Sequence, residues 1–168
     1  EVRCGLRVMT AEATYRRLMQ RGAGDAFDRH VFACAVALAA SEPGRPLTAA
    51  LGLPGPALRG LLAAYFPEET ELLSGPGEDA GEDELEEPDL RALLIEHGSR
   101  GAREETWLAA IIARRSLGAN HLWQDLGLSS RDDLSRLLLR HFRPLAAANS
   151  GDMKWKKFFY RALCERDG

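Results

Sequence analysis

The sequence predicts an all-α protein, because the spacing of its apolar residues is helical and strand signals are nearly absent. Apolar residues recur at i, i+3, i+4, i+7 and i+8, whereas β-branched residues do not alternate with a period of two. The chain has 168 residues, of which 45% are hydrophobic and 28% are charged. This length and composition suffice for one core, so we predict a single-domain helical bundle over residues 1–168.

Three apolar stripes predict amphipathic helices in the middle and last third of the chain. The first helix is entered through Pro56 and stops before Pro67, and the second has Ser130 as its N-cap. We expect His141, on the second stripe, to be a core histidine bonded to a backbone group. The stripes are Leu58, Leu61, Leu62, Tyr65 and Phe66; Leu134, Leu137, Leu138, His141 and Phe142; and Trp155, Phe158, Phe159, Ala162 and Leu163.

Further helices are predicted from about residue 25 to 40, 88 to 97 and 102 to 117, with a weaker one near the N-terminus. Residues 1–9 are expected to be poorly ordered. We therefore place all the main helices after this N-terminal stretch.

An acidic segment divides the chain. Eight carboxylates lie between Ser74 and Asp89, in a stretch that contains glycines and prolines but no Lys or Arg. Such a composition buries too little apolar surface to order itself, so we predict a mobile linker over residues 74–89, between halves 25–73 and 90–168. The net charge of the chain is −3, but without this segment 22 basic and 17 acidic residues leave +5. The folded body is therefore expected to be mildly basic.

The two halves contain an internal repeat. The segment Leu51 to Leu53, Leu-Gly-Leu, recurs 75 positions later as Leu126 to Leu128, and the stripe that starts at Leu58 recurs 76 positions later at Leu134. We predict that each half is a helix, a turn with Leu-Gly-Leu and a second amphipathic helix, as in a duplicated helix-turn-helix unit. Chance matching of periodic apolar positions is the alternative.

The sequence gives no sign of a membrane or secreted protein. The longest apolar run, Val31 to Ala40, is about half of the roughly 20 residues that a membrane-spanning helix needs, and no signal peptide is evident. We therefore expect a cytoplasmic protein without a membrane partner. We also do not expect an enzyme, because there is no Ser-His-Asp order, glycine-rich phosphate loop or H-E-x-x-H motif.

A basic patch is predicted on the last helix. If the third stripe faces the core, Lys154, Lys157 and Arg161 lie together on the opposite face, with the spacing i, i+3, i+7. This patch would attract an oxyanion, an anionic cluster or an acidic protein. An ordinary solvated helix face is the alternative.

A second anion site is predicted around His121, with Arg114 and Arg115 holding an oxyanion through charge-assisted hydrogen bonds. The alternative is that His121 only stabilises the turn in which it lies. His30 and Cys34 lie four positions apart and would share a helix face, either as metal ligands or as ordinary packing residues. For Cys34 we favour a small core residue.

Four segments of the sequence resemble the NifQ family of nitrogen-fixation proteins. They are DMKWKKFFYRALCERDG at 152–168, WLAAIIARRSLGANHLWQDLGL at 107–128, HVFACAVALA at 30–39 and RALLIEHGSRG at 91–101. The resemblance covers most of the chain from about Phe27 onward and is most specific in the last third.

This resemblance implies a molybdenum–iron–sulfur protein that supplies molybdenum for the iron–molybdenum cofactor of nitrogenase. Its cargo would be molybdate or sulfur-bound molybdenum, and its recipients the nitrogenase reductase and the cofactor scaffold proteins. The family's cluster ligands are attributed to a four-cysteine motif, C-x4-C-x2-C-x5-C, which would begin just after Gly168. Cys4, Cys34 and Cys164 lie far apart and do not replace it. We therefore expect no complete cluster on this chain, with Cys164 as an accessory ligand or an idle thiol.

Two other functions fit parts of the sequence. The repeated helix, turn and helix superficially resembles a DNA-binding helix-turn-helix regulator. However, the helix over Pro56 to Phe66 offers only Arg59 and the acidic segment repels phosphate, so we do not expect a nucleic-acid partner. A metal-free helical interaction module is the remaining alternative.

Overall fold

The computed structural model describes residues 10–69, 72 and 79–167, and the regular elements in these ranges are all α-helices. The predicted all-α class is thus confirmed. The helices are α1 Ala11–Arg21, α2 Ala26–Ser41, α3 Leu47–Leu51, α4 Gly55–Tyr65, α5 Glu87–Glu96, α6 Arg103–Arg115, α7 Leu122–Asp125, α8 Arg131–His141, α9 Arg143–Ala147 and α10 Trp155–Asp167. Residues 1–9, with Cys4, and residues 74–78 of the acidic segment lie outside the described residues.

The long helices lie within one or two residues of their predicted bounds, and their caps explain where they begin. The Asp25 carboxylate accepts a hydrogen bond from the Asp28 amide at 3.0 Å, and the Ser130 hydroxyl accepts one from the Asp133 amide at 3.3 Å. The short helices α3, α7 and α9 were not predicted, because four or five residues are too few to show helical periodicity.

Helices α2 and α6 form the centre of the core. Both are buried along most of their length, including Phe32 and Val36 of α2 and Ile111 and Ile112 of α6. The ring of Phe32 packs edge-on against Trp107, with 6.1 Å between ring centroids. Among the described helices, none is long and apolar enough to cross a bilayer.

A glycine in each half brings a turn into close contact with the central helix of the other half. Gly52 has φ 69°, and a Cβ atom there would lie 2.8 Å from the Arg114 Cβ of α6. Gly127 has φ 73°, and a Cβ atom there would lie 2.6 Å from the Cys34 carbonyl oxygen of α2. Both positions need glycine because of the left-handed backbone and the lack of space. The two halves thus share their element order, while the duplication itself stays a prediction.

The acidic segment is anchored at its C-terminal end. Glu87, which the sequence places in the mobile linker, begins α5, is 1% exposed and accepts two 2.9 Å hydrogen bonds from the Arg114 Nε. Asp83 accepts two 3.1 Å hydrogen bonds from Arg91. The C-terminal end of the predicted linker is thus bound to α5 and α6, which composition does not reveal because the need of buried Arg114 for a carboxylate partner is a tertiary feature. The mobility of the segment stays a prediction.

A buried polar cluster joins α2, α6 and α8. His141 is fully buried, and its Nε2 lies 2.7 Å from Asp28 Oδ1 while its Nδ1 lies 3.4 Å from Glu105 Oε2. Arg140 donates two further hydrogen bonds to Asp28, at 2.9 and 3.1 Å. The expectation that His141 bonds a backbone group was wrong, because the carboxylates of Asp28 and Glu105, which are remote in sequence, contact its two ring nitrogens. Burial opposes ionisation of Asp28, but the hydrogen bonds from His141 and Arg140 outweigh it and lower the Asp28 pKa from 3.8 to about 2.

The cluster predicts a pH-dependent stability. Because the folded-state pKa of Asp28 is depressed, its contribution is present above pH 3.8 and is lost as the pH falls towards 2. We expect Asp28→Asn to lower the free energy of unfolding by about 2 kcal/mol at pH 7 and by only about 1 kcal/mol at pH 3. Urea unfolding of both proteins across this range measures the difference. Asp167→Asn, at the exposed end of α10, is the control, and a pH-independent difference would contradict the assignment.

The glycine contacts predict a second stability effect. Gly127→Ala combines a left-handed backbone with a clash, whereas Gly101→Ala has a similar φ of 62° and no atom within 4 Å. We expect Gly101→Ala to cost about 1 kcal/mol from backbone strain alone and Gly127→Ala to cost about 1–3 kcal/mol more. If thermal unfolding shows the same loss of stability for both variants, the close approach of Gly127 to α2 does not contribute to stability.

Candidate functional site

A basic pocket lies between the start of α10, the turn before α7 and the first turns of α8. We define the basic pocket by the basic residues that line its cavity of about 820 Å³. These are His121, Arg131, Lys154, Lys156 and Lys157. Trp123 and Trp155 add aromatic surface to its walls.

The basic pocket contains every lysine of the chain. The sequence has 22 basic residues other than histidine, and only Lys154, Lys156 and Lys157 among them are lysines. Lysine is a compact, strongly hydrated charge on a flexible stem, whereas arginine is a rigid fork that suits fixed ion pairs. The pocket thus differs in chemistry from the arginine-rich remainder of the surface.

A strained turn places Lys154 at the pocket. Asp152 has φ 50°, a left-handed conformation that few residues other than glycine adopt. The Asn149 side chain bridges this turn, because its Oδ1 accepts a hydrogen bond from the Met153 amide at 2.8 Å and its Nδ2 donates one to the Met153 carbonyl at 2.9 Å. Lys154 follows directly and precedes the first residue of α10, so it lies before the helix on which the sequence placed it.

Arg131 and Trp155 form the fixed side of the pocket. Arg131 donates to Asp152 Oδ1 at 2.7 Å and to the Met153 carbonyl at 2.8 Å, and its guanidinium lies 5.8 Å from the Trp155 ring centroid. The Trp155 indole N–H donates to Ser135 Oγ at 3.3 Å. This arrangement holds α10 against α8 and leaves Arg131 largely neutralised.

Lys156 serves the structure of the pocket. Its ammonium donates to the Gly118 carbonyl at 2.7 Å, to the Asn120 carbonyl and to Asp125 Oδ2 at 2.7 Å. It thereby closes the turn before α7. This role of Lys156 has no sequence signal, because no local spacing marks its contact with a carboxylate 31 positions away.

Lys154 and Lys157 supply the remaining charge. Both are exposed, and within the part of the chain that the structure describes neither forms an ion pair. After the pairs Lys156–Asp125 and Arg131–Asp152 are subtracted, these two lysines leave a net charge of +2 on the pocket. Such a pocket attracts anions.

The predicted basic patch is only partly assembled here. Lys154 and Lys157 line the pocket together with His121, but Arg161 does not. Arg161 instead pairs with Glu165 one turn further along α10, where both side chains are largely exposed.

The predicted grouping of His121 with Arg114 and Arg115 is not formed. Both arginines are buried, and Arg114 binds Glu87 and the carbonyl of Ala49. Arg115 pairs with Glu42 and donates to the Asp125 carbonyl at 2.7 Å. Their guanidinium groups are engaged inside the protein, whereas His121 faces the basic pocket. The sequence could not show this because the partners come from other helices.

His30 and Cys34 share a face of α2, as predicted, with 3.8 Å between Sγ and Nδ1. However, His30 Nδ1 lies 2.7 Å from the Tyr15 hydroxyl and Nε2 lies 2.9 Å from Asp133 Oδ2, so both ring nitrogens already have partners. Burial, with the nearby charge of Asp133, raises the pKa of Cys34 to about 12. The thiol therefore stays protonated, and the packing interpretation fits better than a metal ligand.

The described residues do not fit an iron–sulfur cluster. Such clusters need several thiolates, whereas Cys34 is a buried thiol and Cys164 is an exposed residue of α10. Across residues 10–69, 72 and 79–167, no three His, Cys, Asp or Glu side chains are grouped to hold a metal ion.

The different roles of neighbouring lysines predict different stabilities. Lys156→Met leaves Asp125 and two carbonyls without their donor, so we expect a loss of about 1–3 kcal/mol. The matched variant Lys157→Met should stay within about 0.5 kcal/mol of the parent, since its side chain is exposed. Chemical unfolding of the two variants tests this, and similar losses would refute the structural role of Lys156.

Comparisons with known proteins agree with the sequence resemblance. The sequence model of the NifQ family matches residues 31–168, which include the whole basic pocket. The protein described as "Protein NifQ homolog" from Sinorhizobium fredii (strain NBRC 101917 / NGR234) is 44% identical over 153 residues, which cover 84% of this chain and 64% of that protein. "Protein NifQ" from Rhodobacter capsulatus is 46% identical over 121 residues, which cover 71% of this chain and 65% of that protein.

"Protein NifQ" from Azotobacter vinelandii is 54% identical over 87 residues, which cover 51% of this chain and 43% of that protein. The chain thus spans less than two thirds of the length of these curated relatives. No solved structure matches it. A family match over most of the chain, together with these identities, shows that the chain belongs to the NifQ family.

Proposed function

We propose that this chain carries molybdenum for the synthesis of the iron–molybdenum cofactor of nitrogenase, and that its basic pocket holds the metal as an anion. Membership of the NifQ family supports the biological role. The two unpaired lysines in the pocket support the form of the cargo, because molybdate and sulfur-bound molybdenum are anionic. The lysine pair is the single observation on which the binding site rests.

The pocket combines attraction with easy release. Lys154 and Lys157 offer mobile ammonium groups, each of which forms charge-assisted hydrogen bonds to an oxyanion. Trp155, only 7% exposed, provides an apolar wall that lowers the local dielectric constant and strengthens the attraction. Because both lysines are exposed, solvent and salt weaken their hold on the anion. Reversible binding suits a carrier, and we propose no catalytic step.

The family resemblance also implies a molybdenum–iron–sulfur cluster on a cysteine motif. The described helices do not fit such a cluster, so the proposal assigns them no cluster ligands and no step that passes through a cluster. We propose that the described helices contribute the basic pocket and hold its side chains in place. As recipients we propose the nitrogenase reductase and the cofactor scaffold proteins, on the family resemblance alone.

Molybdate binding tests the pocket directly. We expect the double variant Lys154→Ala/Lys157→Ala to weaken molybdate binding at least about tenfold, since each lysine contributes a charge-assisted hydrogen bond. Equilibrium dialysis at low ionic strength, with molybdenum quantified by mass spectrometry, gives the affinity.

A charge-matched control separates a local site from overall charge. Arg16→Ala/Arg161→Ala removes two exposed cations outside the pocket and should leave the affinity unchanged. Molybdate should also protect Lys154 and Lys157 from acetylation, which peptide mass spectrometry detects residue by residue. Equal loss of affinity in both double variants, or no protection, would overturn the proposed site.

A further inference from the structure

A second charged surface, distinct from the basic pocket, lies along α8 and the start of α9. We define the arginine groove by the four arginines that line a cavity of about 650 Å³, namely Arg100, Arg136, Arg140 and Arg143. Asp132 and the exposed Leu139 complete its charged and apolar lining. It shares no lining residue with the basic pocket, and the proposed molybdenum site does not use it.

Two of the four guanidinium groups are fixed by the protein itself. Arg140 is held by Asp28 and by Asp25, whose Oδ2 lies 3.3 Å from its Nη2. Arg136 stacks on Phe27, with its guanidinium carbon 4.1 Å from the ring centroid. Stacking leaves the edge of a guanidinium group free to donate hydrogen bonds, so Arg136 is oriented and still available.

The other two arginines leave the groove with excess positive charge. Arg143 is exposed, and in the described ranges its side chain has no salt-bridge partner. Arg100 is 52% exposed and lies only at the edge of salt-bridge distance from Glu105, at 3.9 Å. Because Arg140 is already paired with Asp28 and Asp25, the charge that a ligand can meet comes mainly from Arg136 and Arg143, which form no salt bridge among the described residues.

The shape of this charge distribution favours an extended ligand. Arg136 lies on α8, whereas Arg143 begins α9 beyond the helix break at Phe142, and both line the groove with Leu139. Successive carboxylates of a peptide can pair with two arginines that stand on different helices. Leu139 lies among these arginines and is 39% exposed, which provides an apolar contact that a free inorganic anion would not use.

We infer that the arginine groove docks an acidic segment of a partner protein, with carboxylates on either side of an apolar residue that covers Leu139. The guanidinium group of arginine pairs with a carboxylate through two parallel hydrogen bonds, which fix the orientation of the pair and strengthen it. The inference does not depend on molybdenum binding, because the two surfaces share no lining residue.

Two other macromolecular ligands fit less well. Nucleic acid would meet Asp132 and Asp133 in the first turn of α8, where a recognition helix contacts bases. A second copy of this chain would offer Leu85 and its flanking glutamates, and Leu85 is 91% exposed. However, Asp83 and Glu87 on either side are already tied to Arg91 and Arg114, which holds that segment on its own chain.

A peptide titration tests the groove. The probe is a fluorescein-labelled Glu-Glu-Leu-Glu-Glu peptide, followed by fluorescence anisotropy at low ionic strength with the 168-residue chain. We expect Arg136→Glu/Arg143→Glu to weaken binding at least about tenfold. The matched variant Arg16→Glu/Arg161→Glu makes the same change of charge elsewhere and should bind like the parent. Thermal unfolding of both variants confirms that they are folded.

Changes in the peptide separate charge from apolar contact. Gln-Gln-Leu-Gln-Gln should not bind, and Leu139→Ser should weaken Glu-Glu-Leu-Glu-Glu while leaving Glu-Glu-Gly-Glu-Glu unchanged. If Leu139→Ser weakened the binding of both acidic peptides equally, the proposed apolar contact with Leu139 would be contradicted. Equal weakening by the two arginine double variants would overturn it, since overall charge would then explain binding.

The same variants exclude the other ligands. Competition by millimolar inorganic phosphate would indicate a simple anion site and overturn the docking of a peptide. Tighter binding of a 20-nucleotide single-stranded DNA, lost in Arg136→Glu/Arg143→Glu, would assign the groove to nucleic acid instead. Self-association of the parent in sedimentation velocity, abolished by that double variant, would assign it to a second copy of the chain.

Discussion

The position of α8 depends on the buried cluster around His141. Its ring connects Asp28 of α2 to Glu105 of α6, while Glu105 also accepts a hydrogen bond from the Arg100 amide just before α6. Each of these groups is costly to bury alone, and each is satisfied only when the three helices meet. The cluster therefore fixes α8 against both central helices, and the charged surfaces on either side of α8 follow from that placement.

The glycine turns add a second constraint on the central helices. Gly52 lets the turn of the first half approach α6, and Gly127 lets the turn of the second half approach α2. Two helices that each receive the turn of the other half are packed on nearly all sides, which explains why α2 is continuously apolar from Val31 to Ala40. The charged binding surfaces therefore lie on the outer helices α8 and α10.

The two charged surfaces use different cations for different tasks. In the basic pocket, Lys156 and Arg131 are neutralised within the protein, and the exposed Lys154 and Lys157 face solvent. Flexible ammonium groups suit a small anion that must leave again. In the arginine groove, Arg140 is neutralised by Asp28, whereas Arg136 is held only by its stacking on Phe27, so its planar group is oriented in advance. An oriented guanidinium group suits a peptide that must dock in one register, because it forms hydrogen bonds in fixed directions.

The sequence by itself determined the long helices, the Ser130 cap and the core stripes, because periodicity and capping are properties of neighbouring residues. Its segments also identified the family. It also predicted that Lys154 and Lys157 lie together, and both line the basic pocket. Only the tertiary structure decided that Arg114 and Arg115 are internal, and that Lys156 closes a turn. These outcomes depend on partners from other helices, up to 113 positions away for His141 and Asp28. The free energy of such contacts arises only when the helices pack, so no local pattern records it.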